Sequence, residues 1–383
     1  MITINDKYNC CGCSACASRC PKNCIVMKSD EEGFLYPVIN TSSCINCGLC
    51  EKVCPITNQN PPKTYSNVYA AINNDLSIRL NSSSGGLFSV LAENTIQNKG
   101  VVIAARFDEN WNVVHDVVEN IDDLNCYRGS KYVQSDINGT YSIAEQYLKK
   151  SVKVLFCGTP CQIAGLHSFL MKDYPNLVSV EVVCHGTPSP LIWKNYINTF
   201  GLSSISNVSF RDKRYGWKQF SLVVKAQVAE EEKTILSESF TKNNYMNAFL
   251  HNLSLRPSCY HCAFRCNKSG ADITLGDYWG ISEKVMNDDD KGTSLVIVNS
   301  NKGKVALEDV DVSIVPSSYN DALRCNPCLE TSVSTPSRRN DFFEYSKTDP
   351  SLNNVLDYVE VPKTSMAKRL FLFLYNLKKR IFK

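Results

Sequence analysis

Two stretches decide the reading of this chain: Cys10-Cys11-Gly12-Cys13-Ser14-Ala15-Cys16-Ala17-Ser18-Arg19-Cys20-Pro21 and Cys44-Ile45-Asn46-Cys47-Gly48-Leu49-Cys50-Glu51-Lys52-Val53-Cys54-Pro55. Each spells C-x2-C-x2-C-x3-C-P, the pattern of two-cluster iron–sulfur proteins of the ferredoxin type. Three thiolates on a tight loop cap three irons of a cubane, and the fourth comes from elsewhere in the chain. In this pattern the fourth cysteine of each run serves the other cluster. The expected ligand sets are therefore Cys10, Cys13, Cys16 and Cys54 for one 4Fe-4S cluster, and Cys44, Cys47, Cys50 and Cys20 for a second. Zinc, which also takes C-x2-C pairs, is the competing reading. Cys11 and Cys24 fall outside the ligand register and read as spare thiols.

Working outward, Ile25-Val26-Met27 and Phe34-Leu35-Tyr36-Pro37-Val38-Ile39 flank Asp30-Glu31-Glu32-Gly33 and predict a β-hairpin that packs on the rest of the chain. Asn58-Gln59-Asn60-Pro61-Pro62-Lys63 is a polar, proline-containing break and the expected domain boundary. The whole chain has 383 residues and 19 cysteines. Disulfides at that density need an oxidising compartment. The start, Met1-Ile2-Thr3-Ile4-Asn5-Asp6-Lys7, has no basic segment followed by an apolar run, so the expectation is a cytoplasmic protein whose thiolates hold iron. A net charge of +3, from 41 basic and 38 acidic residues, gives no footprint for nucleic acid. No apolar stretch reaches the roughly 18 residues that span a bilayer.

After the boundary, Val68–Ile72, Val101–Ala105, Val152–Phe156 and Val178–Val183 read as strands with helices between them, one of these starting at Leu87. That alternation predicts a mixed α/β layer with a partly parallel sheet. Two strands run into Cys157-Gly158-Thr159-Pro160-Cys161 and Cys184-His185-Gly186, and cofactors in open α/β sheets sit beyond such strand ends. No G-x-G-x-x-G follows a strand, which argues against a nicotinamide site. Cys161, Cys184, Cys259 and Cys262 are four thiolates suited to a third cubane, with Cys266 as an alternative ligand and zinc as a competitor. Cys325 and Cys328 form an isolated pair, and Cys126 and Cys157 read as small buried residues.

Ser83-Ser84-Gly85-Gly86, Gly129-Ser130-Lys131-Tyr132, Gly158-Thr159-Pro160-Cys161-Gln162, Cys184-His185-Gly186, Phe210-Arg211-Asp212-Lys213 and Ala271–Gly280 together resemble the beta-subunit family of coenzyme F420 hydrogenases and dehydrogenases. The resemblance covers about residues 1–345. It implies FAD, with Ser84, Gly85 and Gly86 at the pyrophosphate and Gly129, Ser130, Lys131, Tyr132 and Thr159 along the flavin. His185 and Lys213 are candidates for proton donor and charge partner, because reductions consume protons as well as electrons. The expected organisation is α+β to α/β: a ferredoxin-like two-cluster domain over 1–60, a mixed α/β FAD-binding domain over 65–190, a smaller C-terminal α/β region over 191–345 and a tail over 346–383. The expected function is an FAD-dependent iron–sulfur oxidoreductase that carries electrons from a ferredoxin-like donor through its clusters to a two-electron reduction. An electron-transfer subunit serving a separate catalytic protein is the alternative. Use of coenzyme F420 itself is not written in these residues.

In the tail, Met366, Leu370, Phe373, Leu374, Leu377 and Ile381 share one helical face, with Lys368, Arg369, Asn376, Lys379, Arg380 and Lys383 on the other and Leu372 and Lys378 as the exceptions. This predicts a basic amphipathic helix, either laid on an anionic membrane or docked on the protein itself. The membrane reading extends to a lipid-linked substrate such as that of surface polysaccharide synthesis.

Overall fold

The computed structural model describes residues 1–62, 65, 67–281, 285–308 and 310–360. The predicted tail helix over 363–383 lies outside the described residues. The head hairpin pairs β1 (Ile25–Ser29) with β2 (Leu35–Ile39), Ile25 opposite Ile39. The large sheet is built from β3 (Asn67–Asn73), β4 (Val101–Phe107), β5 (Val113–Val118), β6 (Val154–Gly158) and β7 (Leu177–Val182). A separate antiparallel sheet follows, formed by β8 (Ile205–Asp212), β9 (Ser221–Val228) and β10 (Glu231–Ser239). The chain then returns to the large sheet with β11 (Ile273–Asp277), β12 (Ser294–Val298) and β13 (Val312–Ser317). Its strand order is β13-β3-β12-β11-β7-β6-β4-β5.

The centre of that sheet, β11-β7-β6-β4, is parallel, and both edges are antiparallel, as the alternation of apolar runs and helices foretold. Val154-Leu155-Phe156 is apolar throughout because both faces of a central parallel strand are covered. Leu155 packs with Leu87 and Leu91 on one face, and Phe156 with Tyr141, Ile163 and Phe169 on the other. Helix Pro160–Leu170 starts immediately after β6: Thr159 and Gln162 form a reciprocal capping box and Pro160 occupies the first turn, where no N–H is needed.

The head is fastened to this body through the same core. Cys11, Cys13, Ala15 and Val53 belong to the cluster of Ile103, Tyr141, Phe156 and Ile163. Gly165 permits the contact, since a Cβ there would stand 2.8 Å from Cys13 Cβ and from the Tyr141 hydroxyl. Arg256, 1% exposed, donates to the carbonyls of Cys10 (2.8 Å) and Leu35 (3.0 Å) and to Gln134 Oε1 (3.1 Å), with its guanidinium over the Tyr36 ring. At the hairpin turn, Glu32 and Arg339 form a two-pronged ion pair at 2.7 and 2.6 Å. Arg339 opens helix Arg339–Thr348, whose Phe342 and Phe343 join Phe34, Trp193, Phe210 and Tyr245 in a second core beneath the three-stranded sheet.

Candidate functional site

The two cysteine runs repeat in backbone as well as in letters. Gly12 and Asn46 both have positive φ (69° and 51°), as do Ser14 and Gly48 (64° and 73°). Short helices follow at Ala15–Ser18 and Leu49–Lys52. Glycine and asparagine tolerate this left-handed turn best, and it wraps each loop round a hollow. One hollow is lined by Cys10, Cys11, Cys13, Cys16 and Cys54, with Ile2, Ile4 and Met27 against it. The other is lined by Cys20, Cys24, Cys44, Cys47 and Cys50, with Ile25, Ile39 and Ile45. Each hollow thus gathers three cysteines of one run and the last cysteine of the other. Backbone N–H groups point at two of these sulfurs: Ile2 to Cys50 Sγ and Cys24 to Cys20 Sγ, both at 3.4 Å. All the cysteines are free thiols. Burial pushes Cys16 up to about 12 and raises Cys10, the latter against the opposing charge of Arg256. Coordination by iron reverses that preference, since a metal-bound thiol is deprotonated.

Cys24 lines the second hollow with its sulfur 3.3 Å from Cys20 Sγ, and Cys11 is buried in the wall of the first. Sequence register had set both aside. Cys11 also makes a side-chain hydrogen bond with Cys161, in the first turn of helix Pro160–Leu170.

Cys161, Cys184, Cys259 and Cys262 lie within electrostatic range of one another: Cys184 feels Cys259, Cys161 and Cys262, and Cys262 feels Cys161 and Cys259. Burial raises Cys184, Cys259 and Cys262, the last to about 11, and Cys161 is raised first by its hydrogen bond with Cys11 and then by burial. Arg265 opposes this at Cys184 and Cys262, and Arg256 opposes it at Cys161 and Cys259. Two buried cations thus face the four sulfurs. Thr187 N donates to Cys259 Sγ at 3.4 Å and the Thr159 hydroxyl sits 3.2 Å from Cys161 Sγ. The alternative ligand Cys266 turns its sulfur toward the Glu330 carbonyl at 3.9 Å. Cys328 Sγ is 3.7 Å from His185 Nδ1, while Cys325 and Cys126 are exposed. Among the described residues, no three His, Cys, Asp or Glu side chains converge on a single-ion position.

The loops that resemblance links to a flavin meet beside the ends of β11 and β8. Ser130 N donates to Ser83 Oγ at 2.6 Å, joining Ser83–Gly86 to Gly129–Tyr132. Arg211, 5% exposed, pairs with Asp277 at 2.7 Å, donates to the Tyr132 hydroxyl at 3.0 Å and reaches the Ser83 carbonyl at 3.3 Å. Trp217 donates to Asp277 and stacks on Trp279 with ring centres 4.4 Å apart. Lys131 Nζ donates to the Arg128 and Gly129 carbonyls, and burial lowers it to about 7. Lys213 Nζ is held by the carbonyls of Arg79, Ser84 and Lys291 at 2.7–2.9 Å. Burial lowers it to about 7 as well, against three acceptors that favour the ammonium. His185 lies one ring away from this cluster, with Nε2 on Asn252 Oδ1 at 2.6 Å and its ring edge-on to Phe249, which stacks on Tyr132. Lys213 and His185 share no partner. Thr159 is committed to its helix cap, with Gln162 tied through Ser135 to His115.

Residues 151–315 match the family described as the C-terminal part of the coenzyme F420 hydrogenase/dehydrogenase beta subunit, and residues 9–58 match the 4Fe-4S dicluster domain. The chain is 27% identical over 199 residues to the coenzyme F420-dependent sulfite reductase of Methanocaldococcus jannaschii, covering 49% of this chain and 29% of that protein. It is 25% identical over 201 residues to an uncharacterized protein of the same organism, MJ1349, covering 44% of this chain and 54% of that one. The chain therefore spans less than two thirds of either relative. Among solved structures, a chain of the F420-reducing [NiFe] hydrogenase complex from Methanosarcina barkeri aligns with TM-score 0.45 and 17% identity, over 78% of this chain and 94% of that chain.

Proposed function

From the premise that residues 9–58 are a 4Fe-4S dicluster domain and residues 151–315 the C-terminal domain of coenzyme F420 hydrogenase/dehydrogenase beta subunits, we propose an electron relay ending at FAD. Cys10, Cys13, Cys16 and Cys54 would hold one cluster, Cys20, Cys44, Cys47 and Cys50 the second, and Cys161, Cys184, Cys259 and Cys262 a third. When bound, the clusters supply one-electron steps and the flavin the conversion to a two-electron reduction. The observation that carries this reading is the meeting of head and body: the first hollow packs on the helix bearing Cys161, and the Cys11 thiol touches the Cys161 thiol.

This chain's own residues fit the groups. Cys47, the exposed member of its set, suits the second cluster to a ferredoxin-like redox partner, with Ile45 57% exposed beside it. Arg256 and Arg265 place positive charge beside the body cysteines, where each added electron must be balanced. For FAD, the loops Ser83–Gly86 and Gly129–Tyr132 are joined by Ser130 N on Ser83 Oγ, Gly85 N is held by Ser294 Oγ, and a Cβ on Gly129 would meet nothing within 4 Å. Ser84, Gly85, Gly86, Ser130, Lys131, Tyr132 and Thr159 complete the proposed set. Lys213, held by three carbonyls, anchors the Ser84 loop in this reading, and His185 keeps the proton-handling role. The extension to polysaccharide synthesis rested on the tail and forms no part of the proposal. Among the described residues no helix is long and apolar enough to cross a membrane.

The electron-transfer-subunit alternative draws support from the match to only 29% of the sulfite reductase, as expected for one module of a larger catalyst. Anaerobic purification with iron, sulfide and flavin assays tests the proposal. Two head clusters give about eight irons per chain and a third raises this to about twelve. Iron near two would end the cluster assignment, and failure to bind added FAD would end the flavin half. Reduction of a small acceptor by the isolated chain would separate the enzyme from the subunit.

A further inference from the structure

A cavity of about 390 Å³ lies beside the C-terminal end of β7, with Pro160, next to Thr159, in its lining. Its buried wall carries Glu181 from β7, Thr274 from β11, Asn299 just after β12, and Arg265; its mouth is formed by the exposed Asn320 and Glu330 with Tyr319. Cys184 of the body cysteine set also lines it. Wells of this size, with a few convergent polar groups, are where small ligands bind.

Three side chains in this wall each keep one polar atom without a hydrogen-bond partner: Glu181 Oε2, Asn299 Oδ1 and Arg265 Nε. They are 5%, 8% and 8% exposed. Their other atoms are all engaged, which fixes how the side chains sit. The Thr274 hydroxyl donates to Glu181 Oε1 at 2.7 Å and accepts from Asn299 Nδ2 at 2.9 Å. Ser269 makes a second side-chain hydrogen bond to the Glu181 carboxylate, beside that from Thr274. Arg265 spends its terminal nitrogens on the carbonyls of Cys184, His185 and Cys328. Buried polar atoms are nearly always paired, and three exceptions in one cavity wall need a common cause.

We propose that this cavity is a second ligand site, taking a small molecule that offers N–H to Glu181 and Asn299 at one end and an oxygen to Arg265 at the other. Two acceptors and one donor call for that complementary pair. Glu181 and Arg265 lie within electrostatic range but form no ion pair with each other, so a bridging ligand fits between them. An amide, a cyclic ureide and an α-amino acid all carry the required pair. The terminal torsion of a carboxylate is broad, so Oε2 turns toward a ligand at little cost. The site adjoins Cys184 but needs no cluster to bind.

The test uses the full chain, purified anaerobically, with nicotinamide, uracil and glycine as probes in calorimetric titration at millimolar concentration. At least one probe is expected to bind, and Glu181→Gln to weaken it about tenfold or more, because a hydrogen bond to a charged group is lost. Iron content is measured alongside, so that loss of the third cluster is not mistaken for loss of the site. A crystal of the unaltered chain soaked with the same probes decides the matter if Glu181→Gln does not fold. Probe density bridging Glu181 and Arg265 supports the site. Ordered water alone on the three atoms, no binding by any probe, or equal binding to both proteins overturns it.

Discussion

In the head, every proposed cluster ligand comes from two loops that repeat each other in sequence and in backbone conformation, and each hollow closes by exchanging one cysteine with the other. In the body, Cys161 comes from the helix after β6, Cys184 follows β7, and Cys259 and Cys262 lie in and after the short turn Pro257–His261. Only the strand order of the large sheet brings those three places together. The head encodes its site in local spacing, and the body encodes it in topology. A metal site of the first kind is held by its own loops, and one of the second kind is held by everything that fixes β6 and β7 side by side.

The largest effect should come from breaking the exchange in the head. Cys54→Ala and Cys10→Ala should remove the same cluster, and Cys20→Ala the one shared with Cys44, Cys47 and Cys50, each at a loss of about four irons. Iron analysis with low-temperature electron paramagnetic resonance distinguishes the two centres. If Cys54→Ala instead disturbs the centre bound by Cys44, Cys47 and Cys50, each loop keeps its own fourth ligand. The body cysteines offer the contrast: Cys259→Ala should cost iron without altering either head signal.

That contrast also separates what was legible in the sequence from what was not. The cysteine register and the apolar runs at Val101–Ala105 and Val178–Val183 are local patterns, and they foretold the two runs and the parallel centre of the sheet. The return of β11 and β12 between β7 and β3 was not legible, because nothing near Ile273 or Ser294 records which strand will be the neighbour. Arg256 carried no signal either, although it joins head to body through partners 246, 122 and 221 residues away. Cys11 and Cys24 were set aside by register alone, since spacing says which thiols can cap a cubane and nothing about which others stand beside it. The cavity at Glu181 was invisible for the same reason as the sheet order. Its polar atoms sit on β7, β11 and the end of β12, which look like ordinary strands when read singly.

Arg256 gives a sharper and smaller test, because it is where local and topological parts meet. Arg256→Met keeps much of the side-chain volume but leaves the Cys10 and Leu35 carbonyls and Gln134 without their buried donor. The expected loss is roughly 3 kcal/mol, several hydrogen bonds to a charged group being removed at once. Urea unfolding of the anaerobic protein measures it. Protection from hydrogen exchange should fall first over residues 10–60, with β6 and β7 little changed. A uniform loss across both regions would mean that head and body unfold as one unit and that the contrast between them has no energetic counterpart.

The smallest effect concerns a group buried wholly within the body. His115, 1% exposed, has Nδ1 against Ser135 Oγ and Nε2 against the Cys157 carbonyl, both at 3.0 Å. Burial lowers its pKa to about 4, with the charge of Lys131 acting in the same direction. An unfolded histidine titrates near 6.5, so between pH 6.5 and 4 the unfolded chain binds the proton that the folded chain refuses. Folding stability from this group therefore falls as pH drops through that window and is unchanged above it. The loss amounts to about 2 kcal/mol by pH 5, from one pKa unit being worth about 1.4 kcal/mol. Urea midpoints at pH 7 and pH 5 for the unaltered protein and for His115→Gln give the difference, since glutamine removes the titration while keeping a polar side chain. The variant should be less stable at pH 7 and less sensitive to the change. Equal pH slopes in the two proteins would show that the imidazole accepts its proton in the folded state, with Nε2 still donating to the Cys157 carbonyl and the Ser135 hydroxyl turned to accept from Nδ1.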